Sequence, residues 1–274
     1  MQEIEKITKL FGVVGYPLGH SLSPLLHNWG FYKCDLQHTY FKWQIPHSDL
    51  GAFIVSMYTL PIHGASVTIP YKRTVIPYLD DITQEARDIG AVNTLYWENN
   101  ELYGENTDWQ GFLQPLINMG IEAQSALILG AGGAALSSIV GLQKLGVSEI
   151  FVAARKRHIL HDLEARFGIK PVDWENKELY EADLLVNTTP FGMAGGEYQS
   201  LSPFDGSLKG FNHVYDLVYN PLQTKLIQQA TTEHDCTVIS GLHMFIYQAL
   251  RQFQTWTGCV FPIEEAEAKL KQCL

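Results

Sequence analysis

The chain has 274 residues, 46% of them hydrophobic and 18% charged, a composition for one large or two modest globular domains. It excludes a disordered or fibrous chain. Nineteen Lys and Arg against 29 Asp and Glu leave a formal net charge of −10, so a wholesale polyanion binder is excluded and any bound anion must be met by a local device.

In chain order, MQEIEKITKLFGVVGYP carries two early glutamates and no long apolar h-region, which predicts no secretory signal. Leu10–Val14 reads as a strand, and Ser23-Pro24, a good N-cap and N1 pair, opens a helix over LLHNWGFY. Thr39–Trp43, Ala65–Ile69 and Asn93–Trp97 read as further strands bounded by Pro, Gly and Asn. Strands alternating with helices predict a mainly parallel α/β sheet. A polar segment, GENTDWQG, then leads into a helix over FLQPLINMG.

After it the rhythm becomes regular. SALILG, EIFVAAR, DLLVNTT, HVYDLVY and TVIS read as strands, with helices over AALSSIVGLQKLG and HILHDLEARFG. This is the rhythm of a doubly wound nucleotide-binding domain. The tail from Leu242 reads as helical. No stretch reaches the roughly 18 to 20 apolar residues that a membrane span needs, and a cytoplasmic location is expected. Cys34, Cys236, Cys259 and Cys273 form no CxxC pair and have no nearby His partner, so neither zinc nor a disulfide framework is expected. His20 and His27 match no common ligand spacing, and no metal is predicted.

The segment from Leu127 to Ala135 fits the GxGxx(G/A) fingerprint between a strand and a helix. Gly130 permits the tight turn, Gly132 lets backbone N–H groups approach a pyrophosphate, and the small Ala135 lets the helix sit close on the strand. Ala131, Gly133 and Ala134 complete the loop. Sites for NAD commonly place an acid about 20 residues on, at the end of the next strand. Here Ala153 and Ala154 are followed by Arg155, Lys156 and Arg157. Cations at a helix start oppose the macrodipole, and Arg can pair bidentately with a 2′-phosphate, so NADP is expected with Arg155 as the clamp.

Four other segments have the look of chemistry: GYPLGHSLSPLLHN with Ser21 and Ser23, SVTIPYK with Lys72, GAVNT, and GENTDWQG with Asp108. Alone, Lys72 reads as a surface lysine after a strand and Asp108 as a helix-capping carboxylate. With GAGGAA, NTTPFGM, DLVYNPLQT and GLHMFIYQAL followed by WTG, they make an ordered set that resembles the shikimate dehydrogenase family over nearly the whole chain.

That resemblance implies NADP-dependent, reversible reduction of 3-dehydroshikimate to shikimate, within chorismate and aromatic amino-acid biosynthesis. It implies an α/β substrate domain (residues 1–104 plus 241–274), a Rossmann-type NADP domain (105–240), a C-terminal helix returning to the first domain, and an active site in the cleft between them. It makes Lys72 and Asp108 the catalytic pair, Ser21 and Ser23 the carboxylate hydroxyls, and Thr68, Asn93, Asp108 and Gln248 the groups that hold the ring hydroxyls. Tyr219 is a further candidate near the carboxylate. Thr188, Val218 and Gly241 join the glycine loop and Arg155 as cofactor contacts. The expected partners are small molecules, with neither nucleic acid nor membrane, and the protein is expected as a monomer or homodimer.

Two positions depart from the family pattern. Ser66 stands where the family usually has Asn, and Ala154 where it commonly has Asn before the Arg of the clamp. A quinate or dual quinate/shikimate dehydrogenase is the alternative within the enzyme class, and a non-catalytic NADP-binding regulator the alternative outside it. The unmodified Ser21-x-Ser23 favours shikimate, the missing acid after EIFVAA disfavours NAD, and retention of both Lys72 and Asp108 favours turnover.

Overall fold

A computed structural model describes residues 8–19, 21–233 and 236–274, so His20 lies outside the described residues. The chain divides into two compact units: residues up to Thr107 with Gln248–Leu270, and Asp108–Tyr247 with Lys271–Leu274.

The first unit carries β1 (Leu10–Gly15), α1 (Ser23–Lys33), β2 (Thr39–Gln44), α2 (Leu50–Met57), β3 (Ile62–Val67), β4 (Asp81–Ile82), α3 (Gln84–Ile89), β5 (Thr94–Glu98) and β6 (Glu101–Glu105). Its sheet runs β2-β1-β3-β5-β6-β4. The first three strands are parallel, but β5 is antiparallel to both β3 and β6. β4 is again parallel to β6, so parallel ladders predominate, as expected, with β5 as an antiparallel insertion. β6 escapes the sequence reading because glutamates at both ends hide its alternation, although Asn99 and Asn100, with φ of 51° and 67°, make the turn of a tight hairpin. β3 lies earlier than the expected Ala65–Ile69, since Gly64 masks its start and the chain leaves the ladder before Pro70. α2 buries Leu50, Phe53, Ile54 and Met57, one stripe at helical spacing, against Val14, Val67 and Leu95.

The second unit carries α4 (Asp108–Asn118), β7 (Ser125–Leu129), α5 (Gly133–Leu145), β8 (Glu149–Ala154), α6 (Arg157–Phe167), β9 (Lys170–Asp173), β10 (Leu184–Asn187), β11 (His213–Asp216), α7 (Lys225–Glu233) and β12 (Thr237–Ser240). Its sheet is parallel throughout, in the order β12-β11-β10-β7-β8-β9. The order reverses between β10 and β7, the switch point at which α/β sheets of this kind take ligands. Leu127, Ile128, Leu185 and Val186 are fully buried on its central strands. β9 and α7 are missing from the sequence reading. The first is broken by Pro171 and flanked by charge, and the second is rich in Gln and Thr.

The chain then enters α8 (Gly241–Thr257) and α9 (Ile263–Lys271), and the boundary between the units falls inside α8. The later part of α8 belongs to the first unit for packing reasons. Trp256 donates its indole N–H to the carbonyl of Leu95 at 2.9 Å, over Gly64, where any Cβ would run into the indole. Phe253 lies 5.2 Å from the rings of both Phe31 and Phe261, and Gly30 of α1 clears its space. Burying such a phenylalanine contributes roughly 2–3 kcal/mol.

Candidate active site

In the first unit the chemistry collects where β1 and β3 end. Thr68 N–H donates to the Val14 carbonyl at 3.0 Å and Tyr16 N–H to Ile69 at 3.0 Å, which ties the loop after β3 to the loop after β1. A Cβ on Gly15 would fall 2.5 Å from the Thr68 methyl, so only glycine lets the two segments approach this closely. β5 runs antiparallel, and its start therefore lies at the same edge. Val67 N–H donates to the Asn93 carbonyl at 2.7 Å, and Val92 N–H to the Lys72 carbonyl at 2.7 Å. Thr68, Lys72 and Asn93 thus come from three points of the sequence to one edge.

The helix start nearby differs in detail from the expectation. Leu22, not Ser23, occupies the N-cap and makes no side-chain cap bond, and Ser23 is the first helical residue. Proline within the first turn fits that shift, because its missing N–H needs no partner there. Ser21 Oγ accepts from the Ser23 N–H at 3.4 Å, and the Ser23 side chain neighbours the Tyr40 phenol.

Asn93 is 2% exposed and held on several sides. Its Oδ1 accepts from Thr94 Oγ1 and from Thr107 N, each at 2.7 Å, and its Nδ2 donates to Thr107 Oγ1 at 3.0 Å. Thr107 Oγ1 also donates to the Gln248 carbonyl at 3.1 Å. Asn93, Thr107 and the α8 turn that carries Gln248 are therefore one fixture, and Asp108 follows as the first, buried residue of α4.

Sequence reasoning missed two members of this fixture, Tyr40 and Gln252, both almost fully buried. His27, whose spacing from His20 matches no common ligand pattern, is a core residue. Its ring is fully buried and parallel to Tyr40 at 4.4 Å, and burial pushes its pKa down to about 3, opposed by the Gln252 side chain.

The second unit presents the glycine loop at its switch point. Gly130 has φ 106°, and its N–H donates to the Ala153 carbonyl at 2.8 Å. A Cβ there would lie 2.6 Å from Thr188 Oγ1, which itself donates to the Leu129 carbonyl at 2.7 Å. Gly132 caps α5 without a side chain, and a Cβ at Gly132 or Gly133 would meet nothing within 4 Å. Gly132 and Gly133 are exposed at the start of α5, which has no acidic residue in its first turn, while Ala135 is fully buried. Such a cradle fits a pyrophosphate.

Asn187 and Asp216 secure the neighbouring strand ends. Asn187 Nδ2 donates to Asp216 Oδ1 at 2.8 Å, and Asp216 also accepts from Val218 N and Thr224 Oγ1, at 3.1 and 2.5 Å. Burial pushes the Asp216 carboxyl up to about 6, opposed by these same hydrogen bonds. β11 stops at Asp216, short of the expected HVYDLVY, because this carboxylate turns the chain into the loop that carries Val218 and Tyr219. Gly241 abuts the backbone of Leu217 in the same loop, where any side chain would collide. Tyr219 stacks on Phe245 at 5.2 Å, and burial raises its phenol pKa.

Arg155, directly after β8, is exposed. Arg157 is not equally available. Its guanidinium is forked onto Asp173 at 2.8 and 2.5 Å, and Asp173 pairs in register with Ala154 at the end of β9.

A family model for the shikimate dehydrogenase substrate binding domain matches residues 13–95, and one for the shikimate 5′-dehydrogenase C-terminal domain matches residues 241–271. The chain is similar to the shikimate dehydrogenase (NADP(+)) of Maridesulfovibrio salexigens, 43% identical over 268 residues that cover 97% of each chain. It is 42% identical over 269 residues to that of Oleidesulfovibrio alaskensis, covering 97% of this chain and 96% of the other. Among solved structures it resembles shikimate 5-dehydrogenase from Thermus thermophilus in complex with NADP(H) and shikimate. The TM-score is 0.88 and the identity 33%, over 97% of this chain and 100% of that one. Relatives of this identity span nearly the whole chain, and its doubly wound sheet presents a glycine cradle at the switch point: the chain belongs to the shikimate dehydrogenase family.

Proposed function

We propose that the protein is an NADP-dependent dehydrogenase that interconverts shikimate and 3-dehydroshikimate, in the biosynthetic direction for chorismate and the aromatic amino acids. The observation that carries this reading is the convergence of Thr68, Lys72 and Asn93 on one edge of the first unit, with Asn93 fixed through Thr107 to the turn of Gln248. A hydroxyl- and amide-rich edge with one lysine suits a small polyhydroxylated acid.

NADP supplies the hydride acceptor, and the open cradle of Gly130–Ala134 and the exposed Arg155 fit its pyrophosphate and 2′-phosphate. Thr188, Val218 and Gly241, at the ends of β10, β11 and β12, complete that site.

Oxidation of a secondary alcohol requires loss of the hydroxyl proton as the hydride departs. Lys72 is the group that takes this proton and steadies the developing alkoxide charge, and Asp108 is its partner. In the reverse direction Lys72 returns the proton to the carbonyl oxygen. Ser21, Ser23 and Tyr219 hold the carboxylate, while Thr68, Asn93, Asp108 and Gln248 hold the ring hydroxyls. We place the enzyme in the cytoplasm, as a monomer or homodimer.

The test is a steady-state assay with shikimate and quinate, each with NADP+ and NAD+. Reduction of NADP+ by shikimate, faster than any other pairing, supports the reading. Activity confined to quinate turns it to the sister dehydrogenase, and no reduction in any pairing leaves an NADP-binding regulator.

A further inference from the structure

Gln252 is buried, takes no part in the proposed catalytic or binding steps, and its amide has no freedom of orientation. Its Nε2 donates to the carbonyl oxygen of Asn93 and to Thr94 Oγ1, each at 3.0 Å. A backbone carbonyl can only accept, so Nε2 must face Asn93 and Oε1 must face the other way. Oε1 accepts from Ser66 Oγ at 2.7 Å. The single Ser66 proton is thereby committed to Gln252, and Ser66 Oγ accepts from Tyr40 Oη at 2.6 Å. The Ser23 side chain neighbours the Tyr40 phenol, whose pKa burial raises and Ser66 and Ser23 lower. On the other side Thr94, having accepted from Gln252, donates to Asn93 Oδ1 at 2.7 Å.

The donors and acceptors thus run in one consistent sequence from the Tyr40 phenol, beside Ser23 at the start of α1, to the amide before β5. Ser66 and Thr94 are cross-strand partners on β3 and β5, so Gln252 also clamps this strand pair to α8.

We propose that Gln252 is a positioning residue: with Tyr40 and Ser66 it fixes the spacing and hydrogen-bond polarity between Ser23 and Asn93, the two ends of the shikimate site. The inference rests on the proposed function for the identity of the ligand. It also gives the short Ser66 side chain a role, since Ser66 spends its proton on Gln252 and can offer a ligand only a lone pair. A relay of this kind acts as a unit, and losses within it do not multiply.

The experiment is a double-mutant cycle with Gln252→Met, which keeps the bulk and removes every polar atom, and Tyr40→Phe, which removes one hydroxyl. Gln252→Met is expected to raise KM for shikimate about ten-fold or more, with KM for NADP+ within about two-fold and kcat within a few-fold. Tyr40→Phe is expected to raise KM for shikimate several-fold, and the double variant to be no worse than Gln252→Met alone. Multiplying effects, or a KM for shikimate within two-fold of the parent in both single variants, would overturn the proposal. If Gln252→Met does not fold, Ser66→Ala takes its place in the cycle. Parental activity is measured first, because its absence contradicts the proposed function and not the relay. In that case the same cycle is read in thermal unfolding, where additive changes in Tm would count against the relay.

Discussion

Gly130 and Thr188 face each other across the reversal of strand order so closely that a Cβ on Gly130 would lie 2.6 Å from Thr188 Oγ1. At φ 106° an L side chain is also strained at that position, so Gly130→Ala incurs both costs. It is expected to destabilise the protein by about 1–3 kcal/mol in urea unfolding. It is also expected to raise KM for NADP+ about ten-fold or more while KM for shikimate stays within a few-fold. Equal losses for both substrates would show that the loop does not form the cofactor cradle.

Arg155 and Arg157 stand two positions apart but are differently engaged, since Arg157 is forked onto Asp173 and Arg155 is exposed. Arg155→Ala should weaken NADP+ about 10- to 100-fold and leave NAD+ nearly unchanged, in line with loss of one bidentate charge-assisted pair. Arg157→Ala should have the smaller effect on NADP+. Steady-state constants for both cofactors in both variants check this, and an equal loss of NADP+ and NAD+ in Arg155→Ala would remove it from the clamp.

His27 predicts acid sensitivity. Its folded pKa of about 3 lies below the ordinary value of 6.5, so below pH 6.5 the unfolded chain binds a proton that the folded one refuses. The stability due to the neutral ring is present above pH 6.5 and is lost as pH falls toward 3. The slope is about 1.4 kcal/mol per pH unit, so roughly 2 kcal/mol goes between pH 6.5 and 5. Urea unfolding of the parent and of His27→Phe at the two pH values checks it. The variant should lose about 2 kcal/mol less than the parent, and parallel losses would contradict the assignment.

Much of this arrangement is legible in the sequence, for identifiable reasons. The parallel strands of the second unit are short apolar runs bounded by glycine and polar residues, and the turn chemistry at Gly130–Gly133 agrees with the strand before it and the helix after it. β6, β9 and α7 are not legible, because glutamate, proline or glutamine interrupts the period that a strand or helix would show. The same holds for function. Lys72, Asp108 and Asn93 stand in compact motifs, whereas Tyr40, Ser66 and Gln252 are far apart in sequence and meet only through β2, β3 and α8. A lone Gln on a helix or Tyr in a strand carries no local signal. Ser66 stands out as a departure from the family pattern, but no short motif ties it to Gln252, which accepts its hydrogen bond.

In the proposed mechanism the reaction turns on Lys72, because a dehydrogenase without a proton acceptor should still bind its cofactor yet fail in chemistry. The most direct measurement compares kcat for shikimate oxidation by NADP+, together with Kd for NADPH, in the parent and in Lys72→Ala. Turnover is expected in the parent, with a fall in kcat of roughly 10²–10⁴-fold in the variant and a Kd for NADPH within about three-fold of the parent. A Lys72→Ala enzyme that turns over shikimate at close to the parental rate would contradict the assignment of Lys72 as the proton acceptor.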